Sequence, residues 1–288
     1  MLSAMGCRAD VNRAGRVMVF CLAAAAACSP GSDAPARSAT PSTRHATGHP
    51  DAAGTIAIPG RAPGVGTRWS EERTFVNDAD YTNDDGSHRL RTHTRHERLH
   101  QTVLAMEGDR ISSVRLAIED KSKTTRYGEA GTSSTTADPA SGRTYLVVRD
   151  GDDVITSLTR ADGSAVTSAE ESSVADSAFG LMTRASFPEL PARPLAVGEE
   201  FDYRREDSSG SYRITAVRGA EVDITVASRA EAGGQSQTSI TVHTLSLATG
   251  WLLRSQGTSD FVTTGATLPA GCIKAVNRTS SRAAYTYE

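Results

Sequence analysis

The 288-residue chain carries 31 basic against 34 acidic residues, a formal net charge of −3, with 38% hydrophobic and 5% aromatic residues. Serine and threonine together supply 63 positions. This profile excludes a polytopic membrane protein, a collagen-like chain and a strongly basic nucleic-acid binder; it leaves a β-leaning chain of one or two domains, long enough to bury a core.

At the N-terminus Arg8, Arg13 and Arg16 precede the run Val17–Ala27 (VMVFCLAAAAA), which Cys28 follows. A membrane-spanning helix needs roughly 20 apolar residues, so this shorter run reads as the apolar region of a signal peptide covering 1–27. A cysteine directly after Ala25-Ala26-Ala27 resembles the lipobox of bacterial lipoproteins, in which that cysteine is acylated and becomes the first residue. Ala25 stands where that motif usually has leucine. The resemblance implies lipidation of Cys28 and a lipid anchor at the periplasmic face of the cell envelope, in the outer membrane; ordinary cleavage after Ala-x-Ala is the alternative. Loss of residues 1–27 leaves 28 basic and 33 acidic residues, a net −5, with Cys28 and Cys272 as the remaining cysteines. That excludes a disulfide framework and a cysteine-based metal site, and no cofactor is expected.

Residues 28–62 are rich in Pro, Gly, Ser, Thr and Ala without a hydrophobic period, and read as a disordered tether. From residue 63 the pattern is β-like. A polar strand runs from Trp69 to Val76, and an extended segment covers 88–106. A turn at Glu107–Arg110 leads into 111–121, where Val114, Leu116 and Ile118 alternate with polar residues. A Ser/Thr-rich loop, 128–142, precedes strands at 144–148 and 154–160. A helix is expected near 168–179, with Ser168 as N-cap, Glu171 completing a capping box, and Val174, Ala178 and Phe179 facing inward. The proline-rich stretch 187–194 reads as a connector. Strands resume at 199–205, 212–217, 222–226, 240–247, 251–254 and 273–287. The organisation expected is an N-terminal β lobe, 63–187, and a C-terminal β lobe, 188–288.

Several of these segments resemble a family of secreted bacterial lipoproteins of unknown activity. The likeness rests on Ser141-Gly142-Arg143-Thr144-Tyr145-Leu146-Val147, the Ala161–Ser164 turn, the acidic helix with Glu170-Glu171, and Leu190-Pro191-Ala192-Arg193-Pro194-Leu195-Ala196-Val197-Gly198-Glu199. It spans about residues 63–288 and is sharp over 141–201. It implies a β-rich envelope protein and offers no catalytic residue. Long hairpins with one helix are also similar, at the level of fold, to the half-barrels of periplasmic lipoprotein carriers.

Two strings bear on chemistry. His96-Glu97-Arg98-Leu99-His100 is a literal H-E-x-x-H, which binds zinc only on a helix, where both histidines share one face. Its flanks read as strand, in which residues four apart lie roughly 13 Å from each other. Polar strand residues are therefore the expectation, and no metal site is assigned. The same strand places Arg89, Arg91, His93, Arg95 and Glu97 on one face. This stripe reads as a solvated face paired with Asp78, Asp80, Asp84 and Asp85 of its hairpin neighbour; the alternative is an anion-binding surface for acidic lipid headgroups or a protein patch. Tyr81–Gly86 lacks the ligand pattern of a calcium loop and reads as a turn.

These observations lead to a mainly β chain: antiparallel long hairpins forming a curved sheet or half-barrel, in two lobes, with one short helix. The function expected is that of a non-enzymatic envelope lipoprotein that binds a hydrophobic ligand or an envelope protein and no nucleic acid. A zinc-dependent hydrolase through His96, Glu97 and His100, and a purely structural protein, are the alternatives.

Overall fold

A computed structural model describes residues 54–288 except 129–130, 152–153, 178–181, 189, 205–207, 233, 266–267 and 269. Cys28 and the expected signal peptide lie outside the described residues, as do Ala178 and Phe179. The strands are β1 (Arg68–Asn83), β2 (His88–Glu107), β3 (Arg110–Tyr127), β4 (Ser133–Ala137), β5 (Arg143–Arg149), β6 (Ile155–Arg160), β7 (Glu200–Arg204), β8 (Ser208–Arg218), β9 (Glu221–Ala232), β10 (Gln235–Ser246), β11 (Leu252–Thr264) and β12 (Cys272–Tyr287). Among the described residues one helix, α1 (Ser168–Ser177), and one 3-10 turn (Arg184–Ser186) lie between β6 and β7.

The twelve strands form one open antiparallel sheet in the order β6-β5-β3-β2-β1-β12-β11-β10-β9-β8-β7, with β4 pairing a separate stretch of β3. The first and last strands meet in the middle, in register from Trp69↔Tyr287 to Thr82↔Lys274. The segments expected in separate lobes therefore share one sheet, in which the chain meanders outward from β1 to β6 and inward from β7 to β12. β4 falls inside the stretch read as a loop. Its five residues are all exposed, so no hydrophobic alternation marks it.

The helix is present, but its cap is one residue earlier than expected. Thr167 Oγ1 accepts from the Glu170 amide at 3.3 Å, and the Glu170 carboxylate accepts from the Thr167 amide at 3.0 Å. That reciprocal pair is the capping box, built on Thr167 and Glu170 rather than on Ser168 and Glu171. The shift has a tertiary cause: Glu170 is buried and also receives Tyr145 Oη at 2.8 Å and Arg160 Nε at 3.0 Å.

Two cores cover one face of the sheet, here the inner face. Val174 of α1 packs on Leu99, Leu116, Ile118, Tyr145 and Val147 of β2, β3 and β5. At the other side Phe187, Leu190 and Leu195 pack on Tyr212, Ile214, Ile224, Leu245 and Leu252. Ile56 and Ile58 join this second core, and Ile56 exchanges backbone hydrogen bonds of 2.8 and 2.7 Å with Leu195. Arg61 O accepts from Trp251 Nε1 at 2.7 Å. Residues 54–62 are thus docked on the sheet, and the disordered tether does not extend to residue 62. Two isolated isoleucines carry no period, yet each removes apolar area from water.

Candidate functional site

Both covers sit at the same end of the inner face, where β1 begins and β12 ends. Beyond them the long strands carry that face onward without a covering element among the described residues. Alternation along each strand and register across the sheet decide what lines it.

Midway along this open half, one row of polar side chains crosses seven strands. Ser228, Ser239, Ser259 and Thr279 stand in register on β9, β10, β11 and β12. Asn77, His93 and Thr125 continue the row on β1, β2 and β3. Hydroxyl pairs Ser228–Ser239 and Ser259–Thr279 are each 2.6 Å apart, and His93 Nδ1 lies 2.9 Å from Thr125 Oγ1. Ser239 and Ser259 are 9% and 5% exposed. Gly257, one row nearer the covers, has no room for a side chain: a Cβ there would meet Thr241 Oγ1 at 2.6 Å.

The lining is neither apolar nor neutral. The stripe Arg89, Arg91, His93, Arg95 and Glu97 lies on the inner face, since its partners on β1 are Tyr81, Ala79, Asn77, Phe75 and Arg73. Asp78 and Asp80 point the other way, where Asp78 accepts from Thr92 Oγ1 at 2.7 Å and Asp80 meets His88 at 2.9 Å. The expected solvated stripe paired with these aspartates is therefore corrected. Adjacent strands share a pleat, so residues directly opposite each other face the same side. Asp78 stands opposite Thr92, one position out of phase with the stripe.

Within the stripe the charges divide. Under α1, Glu97 meets Lys121 Nζ at 3.3 Å and Arg73 at 3.6 Å, and it also pairs with Arg95. Lys121 Nζ donates at 2.8 Å to Ser173 O, Ser173 Oγ and Ser177 Oγ, fastening the helix to the sheet. Burial pushes the Glu97 carboxyl up, but Arg95, Lys121 and Arg73 outweigh it and hold it below its ordinary range. At the open end, Arg91, His93 and Lys123 have no carboxylate partner among the described residues. Burial, then Lys123 and Arg91, push His93 down to about 4. Burial, then Arg91 and Arg95, lower Lys123. Arg91 Nε is buried without a hydrogen-bond partner among the described residues, and its guanidinium lies 5.2 Å from the Tyr127 ring centroid.

Comparison with known proteins identifies no family. No family model and no curated protein matches the chain. Among solved structures, one of lipovitellin that concerns its lipid–protein interactions is 6% identical, with a TM-score of 0.44 over 78% of this chain and 26% of that one. This chain thus spans about a quarter of that lipovitellin. DynF of the dynemicin biosynthesis pathway of Micromonospora chersina is 10% identical, with a TM-score of 0.21 over 84% of this chain and 90% of that one. An outer membrane channel of Pseudomonas putida F1 is 9% identical, at 0.25 over 79% and 98%.

The H-E-x-x-H string is not assembled. It lies in β2 with Glu97 on the inner face and both histidines on the outer one: His96 meets Glu72 at 3.2 Å and Asp120 at 3.4 Å, and His100 meets Glu119 at 3.3 Å. The glutamate that would activate a zinc-bound water thus points away from the two histidines. Tyr81–Gly86 includes the β1–β2 turn, as expected. Cys272 is half-buried, and its thiol donates to Asn83 Oδ1 at 3.3 Å. A pocket of about 340 Å³ opens on the outer face between Asp78, Asp80, Thr92, Arg126 and Arg278. Sequence reading saw the basic stripe but missed Lys123, Asn77 and the hydroxyl row, whose register comes from strands up to two hundred residues apart.

Proposed function

We propose that the protein is a non-enzymatic binding protein of the cell envelope, anchored through lipidated Cys28, that holds a ligand against the open half of the inner face. One observation carries the reading: among the described residues a continuous inner surface, wide enough to cross seven strands, has no covering element, beside two cores that do. Its lining of hydroxyls, amide and cations, interrupted by Phe75 and Phe261, favours an amphipathic ligand over a purely hydrophobic one. The secreted-lipoprotein likeness of residues 141–201 and the small-residue run before Cys28 support the envelope location.

The test uses the mature chain and the neutral apolar probe N-phenyl-1-naphthylamine. Saturable fluorescence enhancement is expected, and Ser281→Trp should abolish it without lowering the thermal midpoint, because the indole would lie over Gly257 in the open half. Absence of enhancement, together with absence of any retained small molecule by native mass spectrometry, would overturn the reading. Cys28→Ala should move the protein from the membrane to the soluble fraction.

A further inference from the structure

We infer that the open end of the inner face carries a binding site for a dianionic phosphate group, held by Arg91, His93 and Lys123. The assignment deepens the binding reading above and rests on it.

The argument begins with register. Arg91 and His93 are alternate residues of β2, and Lys123 stands opposite Arg95, diagonal to His93 on β3. Side chains related in this way on one sheet face have Cβ atoms within about 8 Å of each other, so Arg91 and Lys123 each adjoin His93. Arg91 stands opposite Tyr127, farther from Lys123, and one anion reaches all three by lying over the His93 ring, within the span of the two long side chains. On β1 the residues facing them are Ala79 and Asn77, and on β3 Tyr127 and Thr125. None is a carboxylate.

Electrostatics point the same way. The charged groups acting on His93 are Lys123 and Arg91, and those acting on Lys123 are Arg91 and Arg95; all are cations. Arg95 is satisfied by Glu97 and by Asp176 at 3.6 Å, so it adds little net charge. Among the described residues two positive charges, Arg91 and Lys123, remain without a carboxylate partner, with a third available at His93. A phosphate monoester carries about −1.5 to −2 at neutral pH and three acceptor oxygens, whereas a carboxylate neutralises one cation. The buried Arg91 Nε supplies a donor without a protein acceptor, the kind of group that is costly to leave unmatched. Tyr127 and Phe75 flank the cations and offer apolar surface to whatever bears the phosphate. The shared chemistry is the phosphate, which either a soluble ester or a lipid headgroup can present.

Anion binding also predicts proton uptake. The bound dianion stabilises the imidazolium, so affinity should rise as pH falls from 7 to 5. Arg91, Arg95 and Lys123 face His93 from β2 and β3, and Asn77 faces it from β1 without charge.

The experiment titrates the mature chain carrying Cys28→Ala with sodium sulfate, which stays dianionic over this range, and with inorganic phosphate. Binding is followed by calorimetry and by the His93 ring resonances at low ionic strength. Saturable millimolar or tighter binding is expected. It should strengthen at least threefold for sulfate between pH 7 and pH 5, and weaken at least tenfold in Arg91→Gln/Lys123→Gln. Vesicles of phosphatidylcholine with phosphatidic acid separate the sources. Vesicle binding that inorganic phosphate displaces assigns a lipid headgroup, and phosphate binding without vesicle binding assigns a soluble ester. No anion binding, or binding indifferent to the double substitution, overturns the inference. The neutral probe keeps the broader reading separate: enhancement by N-phenyl-1-naphthylamine without anion binding sinks the phosphate site alone.

Discussion

Strand β2 runs through both halves of the inner face, and the halves treat charge in opposite ways. Under α1, Glu97 sits among Lys121, Arg73 and Arg95, with Ser173 and Ser177 taking the remaining Lys121 protons. Four to six residues earlier, His93 and Arg91 face Lys123, and among the described residues only cations act on His93 and Lys123. Where a cover excludes water, a charge survives only with partners and hydrogen bonds, because desolvation otherwise outweighs any gain. Where water or a ligand has access, like charges can stand together at modest cost. The difference separates residues that hold the molecule together from residues free to bind.

Substitutions can sharpen or break this division. Lys121→Ala should have the largest effect, about 4 kcal/mol by urea denaturation, since it strips a buried carboxylate of its central cation and frees α1. A loss below about 1 kcal/mol would mean the covered cluster is not structural. His243 tests the second cover. It is buried against Phe187, ring centroids 5.4 Å apart, and burial pushes it down to about 4. With the folded value below the unfolded one, its neutral form is favoured by folding, and stability is lost as pH falls through the unfolded value of about 6.5 toward 4. His243 contributes about 2 kcal/mol to the loss expected between pH 7 and pH 5, and His243→Leu should remove that share of the slope.

Ile56→Ala comes next, at about 1 kcal/mol for a half-buried side chain. No change would detach residues 54–62 from the fold. Smallest of all is Arg91→Gln, expected within about 0.5 kcal/mol in stability. The His93 pKa, read by NMR, should nevertheless move up, because one of the cations that lower it is gone. A large stability loss here would place Arg91 among the structural charges and erase the distinction between the halves.

Much of the fold was legible. Alternation at Val114, Leu116 and Ile118 marked β3, the proline-rich connector interrupted the strands where expected, and an acidic start announced the helix near 168. Other features had no local signature. β4 has no apolar face, and the 255–264 part of β11 is mostly hydroxyls and charge, its burial supplied by neighbouring strands. The stripe on β2 is visible in the sequence as a stripe, but its facing is not, because the aspartates closest in sequence stand one position out of phase, on the other face.

By itself the sequence determined the period-two pattern, the turns, the helix and the presence of five charged or imidazole residues on one face of β2, all consequences of chemistry within a few residues. Tertiary structure decided the pairing of β1 with β12, the side of the sheet that the covers occupy, and hence whether Arg91 and His93 look inward or out. It also brought Lys121 to Glu97 and Lys123 to His93. Those choices depend on burial and on contacts between strands far apart in the chain, and a single strand, symmetric in its two faces until something packs on one of them, contains no record of them.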